Sequence, residues 1–353
     1  MLEEQIQMVD LHGQYLRFKE EIDEAMQAVI DSCAFINGPQ VKSFAGHLAD
    51  YLQVPYVIPC GNGTDALQIA LMALELQPGD EVILPAFTYI AAAEVVALLG
   101  LTPVLVDVDP RSFNIDPRKI EAAVSGRTKA IVAVHLFGQS CDMEPIMALA
   151  DAYHLYVVED NAQSIGADYT FSDGRVRKAG TIGHIGTTSF FPSKPLACYG
   201  DGGALMTSDE VLAVRIRMIA NHGQECKYHH RWIGCNSRLD TLQAAVLDVK
   251  LKHLEEFTET RRQVASRYDD ALSSCDSLVL PARSTFSTHV YHQYTVQVKD
   301  GRRNVLQCLL KERGIPSMIY YPVPVHHQEA YRHISRVSGN LDVSTRLCES
   351  VLS

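Results

Sequence analysis

The chain has 353 residues, of which 47% are hydrophobic and 21% are charged. This composition is typical of a globular protein and excludes an extensively disordered one, and the length favours one large and one smaller domain. The formal net charge of −11 argues against nucleic acid or an anionic membrane as a partner. An anionic ligand would therefore need a pocket that is locally basic or rich in backbone amides.

The cysteines and the N-terminus predict a cytoplasmic protein. Nine cysteines are scattered along the chain without a CxxC motif, which favours free thiols in a reducing compartment. The first residues, MLEEQIQMVD, are acidic and lack the apolar region of a signal peptide. The longest apolar run, 90–106, contains Glu94, Gly100 and Pro103, so we predict no membrane span and no membrane partner.

The first half of the chain alternates between two hydrophobic patterns. Apolar residues at helical spacing predict helices over 15–32 and 41–52. Short runs rich in Val and Ile then alternate with helical segments, which predicts an α/β fold with a mainly parallel sheet whose strands are buried on both faces. The predicted strands are 54–59, 81–85, 102–109, 129–137 and 155–160, and the predicted helices between them are 64–76, 90–99, 117–124 and 144–153. Sites in such sheets lie at the carboxyl ends of the strands.

The second half changes pattern. Strands are predicted at 185–191 and 203–207, followed by a helix at 209–221, a polar loop at 222–236 and a long helix at 238–272. A strand at 289–298, a helix at 303–313 and a strand at 316–321 complete the prediction. We therefore expect a large domain over 15–237 and a small α+β C-terminal domain over 238–353, on which residues 1–14 pack. Loops as long as 222–236 inside a compact domain are usually functional.

One carboxylate and one lysine indicate a cofactor site. An apolar strand ends at Asp160, Gln163 follows one turn later, and Lys194 lies between two phenylalanines and the turn 200–203. Such a pair suits pyridoxal 5'-phosphate (PLP), which bonds covalently to an amine and needs an acid beside its ring nitrogen. Judged by residue type alone, a surface lysine and a helix-capping aspartate are the more frequent interpretation.

The stretch Cys60–Ala66 joins a predicted strand to the start of a helix. Its small residues would let a phosphate approach free backbone N–H groups, and the helix dipole favours an anion there. The alternative is an ordinary strand-to-helix turn that is capped by Thr64 or Asp65. A phosphate site and a plain turn both fit this stretch when it is considered alone.

Two strings resemble a known family. TSFFPSKPLACYGDGGA and EDNAQS are similar to the SFFPSK, GDGG and EDxAQ motifs of the DegT/StrS-type sugar aminotransferases, a fold-type-I PLP family. The resemblance runs from about residue 8 to the end of the chain. It implies that Lys194 holds PLP and moves the proton during transfer, and that Asp160 pairs with the ring nitrogen. The other implied cofactor contacts are Gly63, Thr64 and Ser189 at the phosphate, Tyr89 stacked on the ring and Gln163 at the ring hydroxyl.

The same resemblance implies a homodimer with shared active sites. The loop that begins at 222 would reach the neighbouring subunit, where Asn236 corresponds to a phosphate-binding residue and Arg238 to one near the substrate. The alternative for Arg238 is an ordinary salt bridge at a helix start. Tyr320 and Tyr321 are the other predicted substrate-binding residues. The spacing of the histidines and cysteine in 222–230 matches no usual zinc pattern, so we predict no metal site.

The motifs are most similar to WbpE-type enzymes, which aminate UDP-linked 3-oxo-2-acetamido hexuronic acids. This implies amino transfer from L-glutamate to a 3-oxo UDP- or dTDP-sugar, for cell-surface polysaccharide or lipopolysaccharide biosynthesis. Tyr320 stands where that subgroup often has histidine, and the chain ends at Ser353, where family members continue. One alternative function is that of a PLP-dependent sugar dehydratase, but such enzymes usually have histidine in place of Lys194. A PLP-binding regulator without turnover is the remaining alternative.

Overall fold

The structure is a computed structural model that describes residues 6–353. Residues 1–5, part of the segment predicted to pack on the C-terminal domain, lie outside the described range. The helices are α1 (Leu11–Arg17), α2 (Lys19–Ser32), α3 (Pro39–Leu52), α4 (Gly63–Ala73), α5 (Ala91–Leu98), α6 (Pro117–Ile120), α7 (Met143–Tyr153), α8 (Glu210–Ala220), α9 (Thr241–Leu251), α10 (Leu254–Leu272), α11 (Arg303–Glu312) and α12 (Asp342–Ser350). The strands are β1 (Tyr56–Cys60), β2 (Glu81–Pro85), β3 (Thr102–Val106), β4 (Thr128–Val134), β5 (Tyr156–Asp160), β6 (Asp168–Thr170), β7 (Val176–Lys178), β8 (Ile185–Ser189), β9 (Gly203–Thr207), β10 (Gln224–Cys226), β11 (His229–His230), β12 (Leu278–Val279), β13 (Val296–Val298), β14 (Arg336–Val337) and β15 (Val351–Leu352).

An eight-stranded sheet forms the centre of the fold, in the order β1-β9-β8-β5-β4-β2-β3-β14. Only β9 pairs antiparallel with its neighbours, β1 and β8, so the predicted alternation of parallel strands and helices is confirmed. Successive residues of β2 face opposite sides of the sheet. Val82 and Leu84 pack in the core formed with α4, α5 and α8, whereas Ile83 packs in the core formed with α6 and α7. Burial on both faces explains why these strands read as continuous apolar runs.

The end of the sheet formed by β1 and β9 is covered by α3 and α9, where Phe44, Leu48 and Leu247 share one core with Val57 and Met206. Helix α9 thus packs on the large sheet although it follows the predicted domain boundary at 237/238, and that boundary stays a prediction. The single helix predicted over 238–272 is divided into α9 and α10. No helix within residues 6–353 is long and apolar enough to cross a membrane.

The C-terminal segments return to the large sheet. The backbone N–H of Val325 donates to the carbonyl of Ala86, just beyond β2, at 3.0 Å. Arg336, in β14, donates to the buried carboxylate of Glu81 at 2.8 Å. The first contact brings the segment that carries Tyr320 and Tyr321 to the carboxyl end of β2, whereas Glu81 begins β2 and lies at its opposite end. In the sheet, β4 separates β2 from β5.

Two predicted strands in this region are wrong. Within residues 6–353, the stretch 316–321 forms no strand, because Pro316 and Pro322 lack the N–H that a ladder requires and only Met318 exchanges backbone hydrogen bonds, with Ser353. The strand predicted at 289–298 is reduced to β13, since Val290 donates to Gly138 and Gln293 donates to Phe137 instead of to a neighbouring strand. This irregular stretch therefore faces the end of β4 rather than continuing a small sheet.

Candidate active site

A cavity of about 470 Å³ opens at the carboxyl ends of β4, β5 and β8. It brings together nine of the eleven site residues predicted from the sequence: Gly63, Thr64, Tyr89, Asp160, Gln163, Ser189, Lys194, Tyr320 and Tyr321. The remaining two, Asn236 and Arg238, do not line it. The site is thus assembled from segments that lie far apart in the sequence, and the sheet topology places their strand ends side by side.

Asp160 is the last residue of β5 and projects into this cavity. Its backbone carbonyl accepts a hydrogen bond from the N–H of His135, and its carboxylate accepts one from the N–H of Ala162 at 3.1 Å. Burial raises the pKa of Asp160 above the usual carboxyl value, while the Ala162 bond and the charge of Lys194 act in the opposite direction. A cationic group bound beside Asp160 would restore the ionised form.

A buried carboxylate behind Asp160 fixes the end of β5. Glu159 lies on the opposite side of the strand and accepts hydrogen bonds from His135 Nε2 at 2.8 Å and from the N–H groups of Gly180, Ile182 and Gly183 at 2.8, 2.6 and 2.6 Å. Burial opposes the charged form, but these hydrogen bonds outweigh it and lower the pKa of Glu159. The sequence analysis assigned no role to Glu159 or His135.

Lys194 lies in the connection between β8 and β9. Its backbone N–H donates to the carbonyl of Phe191 at 2.8 Å, which closes a tight turn, and its side chain enters the cavity. Burial lowers the pKa of Lys194, and Asp160 partly offsets this shift. Within residues 6–353 the two side chains form no ion pair inside 4.0 Å, so they are coupled electrostatically across an intervening space.

The start of α4 forms one wall of the cavity. Asn62 caps this helix, because its side chain accepts a hydrogen bond from the N–H of Asp65 at 2.8 Å. The first turn of the helix is directed at the cavity. A Cβ at Gly63 would come within 2.6 Å of the Cβ of Ser189, so only glycine lets the helix start and β8 approach this closely. The resulting cradle of backbone N–H groups and a hydroxyl suits a phosphate.

Aromatic side chains form the opposite wall. Gln163 is held by two hydrogen bonds: its amide oxygen accepts from the N–H of Phe137 at 2.7 Å, and its amide nitrogen donates to the Tyr321 hydroxyl at 3.1 Å. Tyr89 is 56% exposed, and its ring centroid lies 6.1 Å from that of Tyr321. Burial raises the pKa of Tyr321, so its hydroxyl stays protonated. The exposed face of Tyr89 is available for a planar ring.

Asn236 and Arg238 flank a residue that is firmly anchored. The hydroxyl of Ser237 donates to Asp65 at 2.6 Å and accepts from the N–H of Gly61 at 2.9 Å, which ties this segment to the start of α4. Asn236 is exposed and Arg238 is half-buried, both outside the cavity of their own chain. The preceding loop forms the hairpin β10–β11, and its His229 and His230 are exposed.

Several residues that line the cavity were not predicted from the sequence, among them His292 and Gln293. The one possible signal was the polar pair itself, which stands between Tyr291 and Tyr294. His326 and His327 belong to a short 3-10 turn, with ring centroids 4.1 Å apart.

The arrangement fits PLP. A lysine that forms no ion pair with any of residues 6–353 and a carboxylate face one cavity with a space between them, and a glycine-dependent phosphate cradle lies at its edge. Lys194 would hold the cofactor covalently, and Asp160 would pair with its ring nitrogen. Gly63, Thr64 and Ser189 would hold its phosphate, and Tyr89 would cover its ring.

Comparison with known proteins agrees with this geometry. The DegT/DnrJ/EryC1/StrS aminotransferase family matches residues 17–353. The chain is 46% identical to a UDP-2-acetamido-2-deoxy-3-oxo-D-glucuronate aminotransferase of Pseudomonas aeruginosa, over 99% of this chain and 94% of that protein. It is 45% identical to a pleiotropic regulatory protein of Geobacillus stearothermophilus, over 99% and 92% of the two chains. The crystal structure of a DegT DnrJ EryC1 StrS aminotransferase from Brucella abortus superposes with a TM-score of 0.94, at 43% identity over 99% of this chain and 93% of that one.

These matches define a PLP-dependent aminotransferase with the fold-type-I architecture, as predicted from the motifs. The chain belongs to the DegT/DnrJ/EryC1/StrS aminotransferase family. The predicted family, fold class and cofactor are therefore confirmed. The roles of the individual site residues stay predictions.

Proposed function

We propose that this enzyme transfers the amino group of L-glutamate to a keto sugar nucleotide, and that the acceptor is a UDP- or dTDP-linked 3-oxo sugar. The observation that carries the proposal is the placement of Lys194 and Asp160 across one cavity beside the start of α4. The name of the Pseudomonas aeruginosa relative supports a UDP-linked 3-oxo hexuronic acid. The product would enter cell-surface polysaccharide or lipopolysaccharide biosynthesis, and the reaction would take place in the cytoplasm.

The residues of the cavity have complementary tasks. PLP, when bound, supplies the electron sink for the carbon that loses its proton. Burial lowers the pKa of Lys194, which favours the uncharged amine. That amine would take up the proton from one carbon of the reacting system and return it to another. Asp160 would keep a proton on the ring nitrogen of the bound cofactor by charge pairing. Gln163, fixed by Phe137 and Tyr321, presents a rigid polar edge.

The rival functions are less well supported. A sugar dehydratase of this fold usually has histidine at the lysine position, whereas this chain has Lys194. A regulator without turnover would have no need for a buried lysine whose pKa is lowered in a cavity shared with a carboxylate. Both rivals remain less favoured than amino transfer.

The function is tested by separating its two halves. Wild-type protein with PLP and L-glutamate is expected to release one 2-oxoglutarate per site and to convert the cofactor to pyridoxamine phosphate (PMP), which changes its absorbance. The PMP-loaded protein is then offered a panel of UDP- and dTDP-linked keto sugars, and we expect the UDP-linked 3-oxo hexuronic acid to react fastest. Absence of 2-oxoglutarate release would contradict the proposal.

We further propose a homodimer with shared active sites. Asn236 and Arg238 lie outside the cavity of their own chain, and Ser237 between them is anchored to α4. A neighbouring copy could therefore receive the Asn236 amide at its phosphate cradle and the Arg238 guanidinium at its substrate. A guanidinium can bind a sugar carboxylate through two parallel hydrogen bonds.

Mixed dimers test this arrangement. Lys194→Ala and Arg238→Ala homodimers are both expected to have low activity. When the two chains are unfolded together and reassembled, about half of the dimers should be hybrids, and one of the two sites in each hybrid should be intact. Roughly a quarter of wild-type activity should therefore return. If differently tagged chains confirm hybrids but no activity returns, Arg238 does not act in the neighbouring site.

A further inference from the structure

His292 is a buried histidine of the cavity wall that forms no hydrogen bond to any of residues 6–353. The residue is 9% exposed and lines the same cavity as Lys194 and Asp160. Its Nδ1 is completely buried without a partner. Its Nε2, also without a partner, is not enclosed in this way and is the nitrogen that can reach a ligand in the cavity.

The His292 side chain is about nine-tenths buried in the wall of a binding cavity and has no hydrogen-bond partner within residues 6–353, so a ligand at Nε2 would supply the partner that buried polar side chains usually have. The next residue, Gln293, also lines the cavity, and its side-chain amide is likewise unbonded within residues 6–353. The backbone here is fixed, because the N–H of Gln293 donates to the carbonyl of Phe137 at 3.1 Å. Two neighbouring hydrogen-bonding side chains are thereby held at the cavity wall.

The electrostatic surroundings of this pair favour an anion. Burial holds the pKa of His292 well below its usual value, and the nearby charges of Lys194 and Arg261 lower it further, so the imidazole is neutral in a positive local field. Arg261 comes from α10, and its guanidinium donates to the carbonyl of Tyr291 at 3.2 Å. A neutral imidazole carries one N–H and a side-chain amide carries two, so both groups can donate a hydrogen bond to a carboxylate while the carboxylate stays ionised.

From this geometry we infer that His292 and Gln293 form the subsite for the α-carboxylate of the amino donor, an inference that rests on the proposed aminotransferase function. The α-carboxylate is attached directly to the carbon that carries the transferred amino group. A hydrogen-bond donor of the protein that lies close to Lys194 is therefore in a position to bind this carboxylate. The carboxylate of a 3-oxo hexuronic acid, in contrast, is separated from its reacting carbon by two ring carbons.

The test compares three substitutions at His292. His292→Gln places an amide near the position of Nε2, His292→Asn places one near Nδ1, and His292→Phe removes both. The matched control is His289→Asn. His289 is a partly buried histidine of the same segment, outside this cavity, whose Nδ1 accepts from the N–H of Tyr291 at 3.0 Å.

Two measurements are made on PLP-loaded protein: KM and kcat for glutamate in the first half-reaction, and the Kd of glutarate, a dicarboxylate that cannot react, by calorimetry. His292→Phe and His292→Asn are expected to raise both KM and Kd about 10- to 100-fold, the usual effect of losing a hydrogen bond to a charged group. His292→Gln should stay within about threefold of wild type, as should His289→Asn. With PMP-loaded protein, KM for the keto sugar should change less than about twofold in every variant.

Several outcomes would overturn the inference. These are an unchanged glutarate Kd in His292→Phe, equal losses in both half-reactions, failure of the folded His292→Gln protein to recover, or absence of glutarate binding by the wild type. A fall in kcat with unchanged KM would instead assign His292 to positioning Lys194. Because glutarate binding requires no keto sugar, a failure to find the acceptor leaves this test intact and is distinguishable from failure of the subsite.

Discussion

Replacing Lys194 by alanine is expected to lower turnover by about 10⁴-fold or more, because in the proposed mechanism this one amine provides both the covalent link to the cofactor and the proton transfer. No other lysine lines the cavity described for residues 6–353. The direct measurement is borohydride reduction of the PLP-loaded wild type followed by peptide mapping. The reduced cofactor should be found on Lys194, and the Lys194→Ala protein should carry none.

The matched control is Lys250→Met. Lys250 is also buried, burial lowers its pKa to about 8, and its ammonium lies 4.3 Å from the centroid of the Tyr199 ring, but it does not line the cavity. Its replacement should leave the labelling of Lys194 unchanged. Cofactor reduced onto Lys250, or onto any lysine other than Lys194, would end the assignment.

Asp160→Asn is expected to lower the rate of both half-reactions by about two orders of magnitude or more while cofactor binding persists. An amide cannot hold a proton on the ring nitrogen by charge pairing, so the electron sink is weakened, whereas the phosphate cradle at the start of α4 is untouched. Single-turnover rates with glutamate and a titration of PLP binding by fluorescence measure the two effects separately.

Asp142→Asn provides the comparison for this substitution. Asp142 is a partly buried carboxylate that accepts from the Tyr169 hydroxyl at 2.8 Å, and burial raises its pKa as it does that of Asp160. It lies outside the cavity, so its amide variant should retain nearly normal rates. Near-normal turnover in cofactor-loaded Asp160→Asn protein would refute the role assigned to Asp160.

The features that were predicted from the sequence are those that leave a local signal. The alternation of apolar runs predicted β2, β3, β4 and β5 to within a few residues. Strands that are buried on both faces are apolar along their whole length, which makes them recognisable in the sequence. The EDxAQ and SFFPSK motifs likewise pointed to Asp160 and Lys194, which the structure places in one cavity. Both kinds of signal lie within a few residues of the feature that they predict.

The features that were missed depend on long-range contacts. The stretch around His292 has the composition of a strand, but its N–H groups bond to Phe137 and Gly138, more than 150 residues earlier, and periodicity carries no information about such partners. Arg336 and Glu81 form a similar distant contact that brings β14 to the edge of the large sheet. A single histidine has no spacing pattern, so only the assembled cavity reveals the position of His292.

The cavity takes residues from the start of α4, the end of β5, the β8–β9 connection and the stretches around 292 and 321. No partially folded chain holds all of these segments in place, so the cofactor can recognise only the completed fold. Its binding energy is then coupled to unfolding by mass action, and free PLP at 100 times its Kd would add about 2.7 kcal/mol to the free energy of unfolding. Bound cofactor would thereby stabilise the native state, and we expect a shortage of PLP to make this enzyme more susceptible to proteolysis.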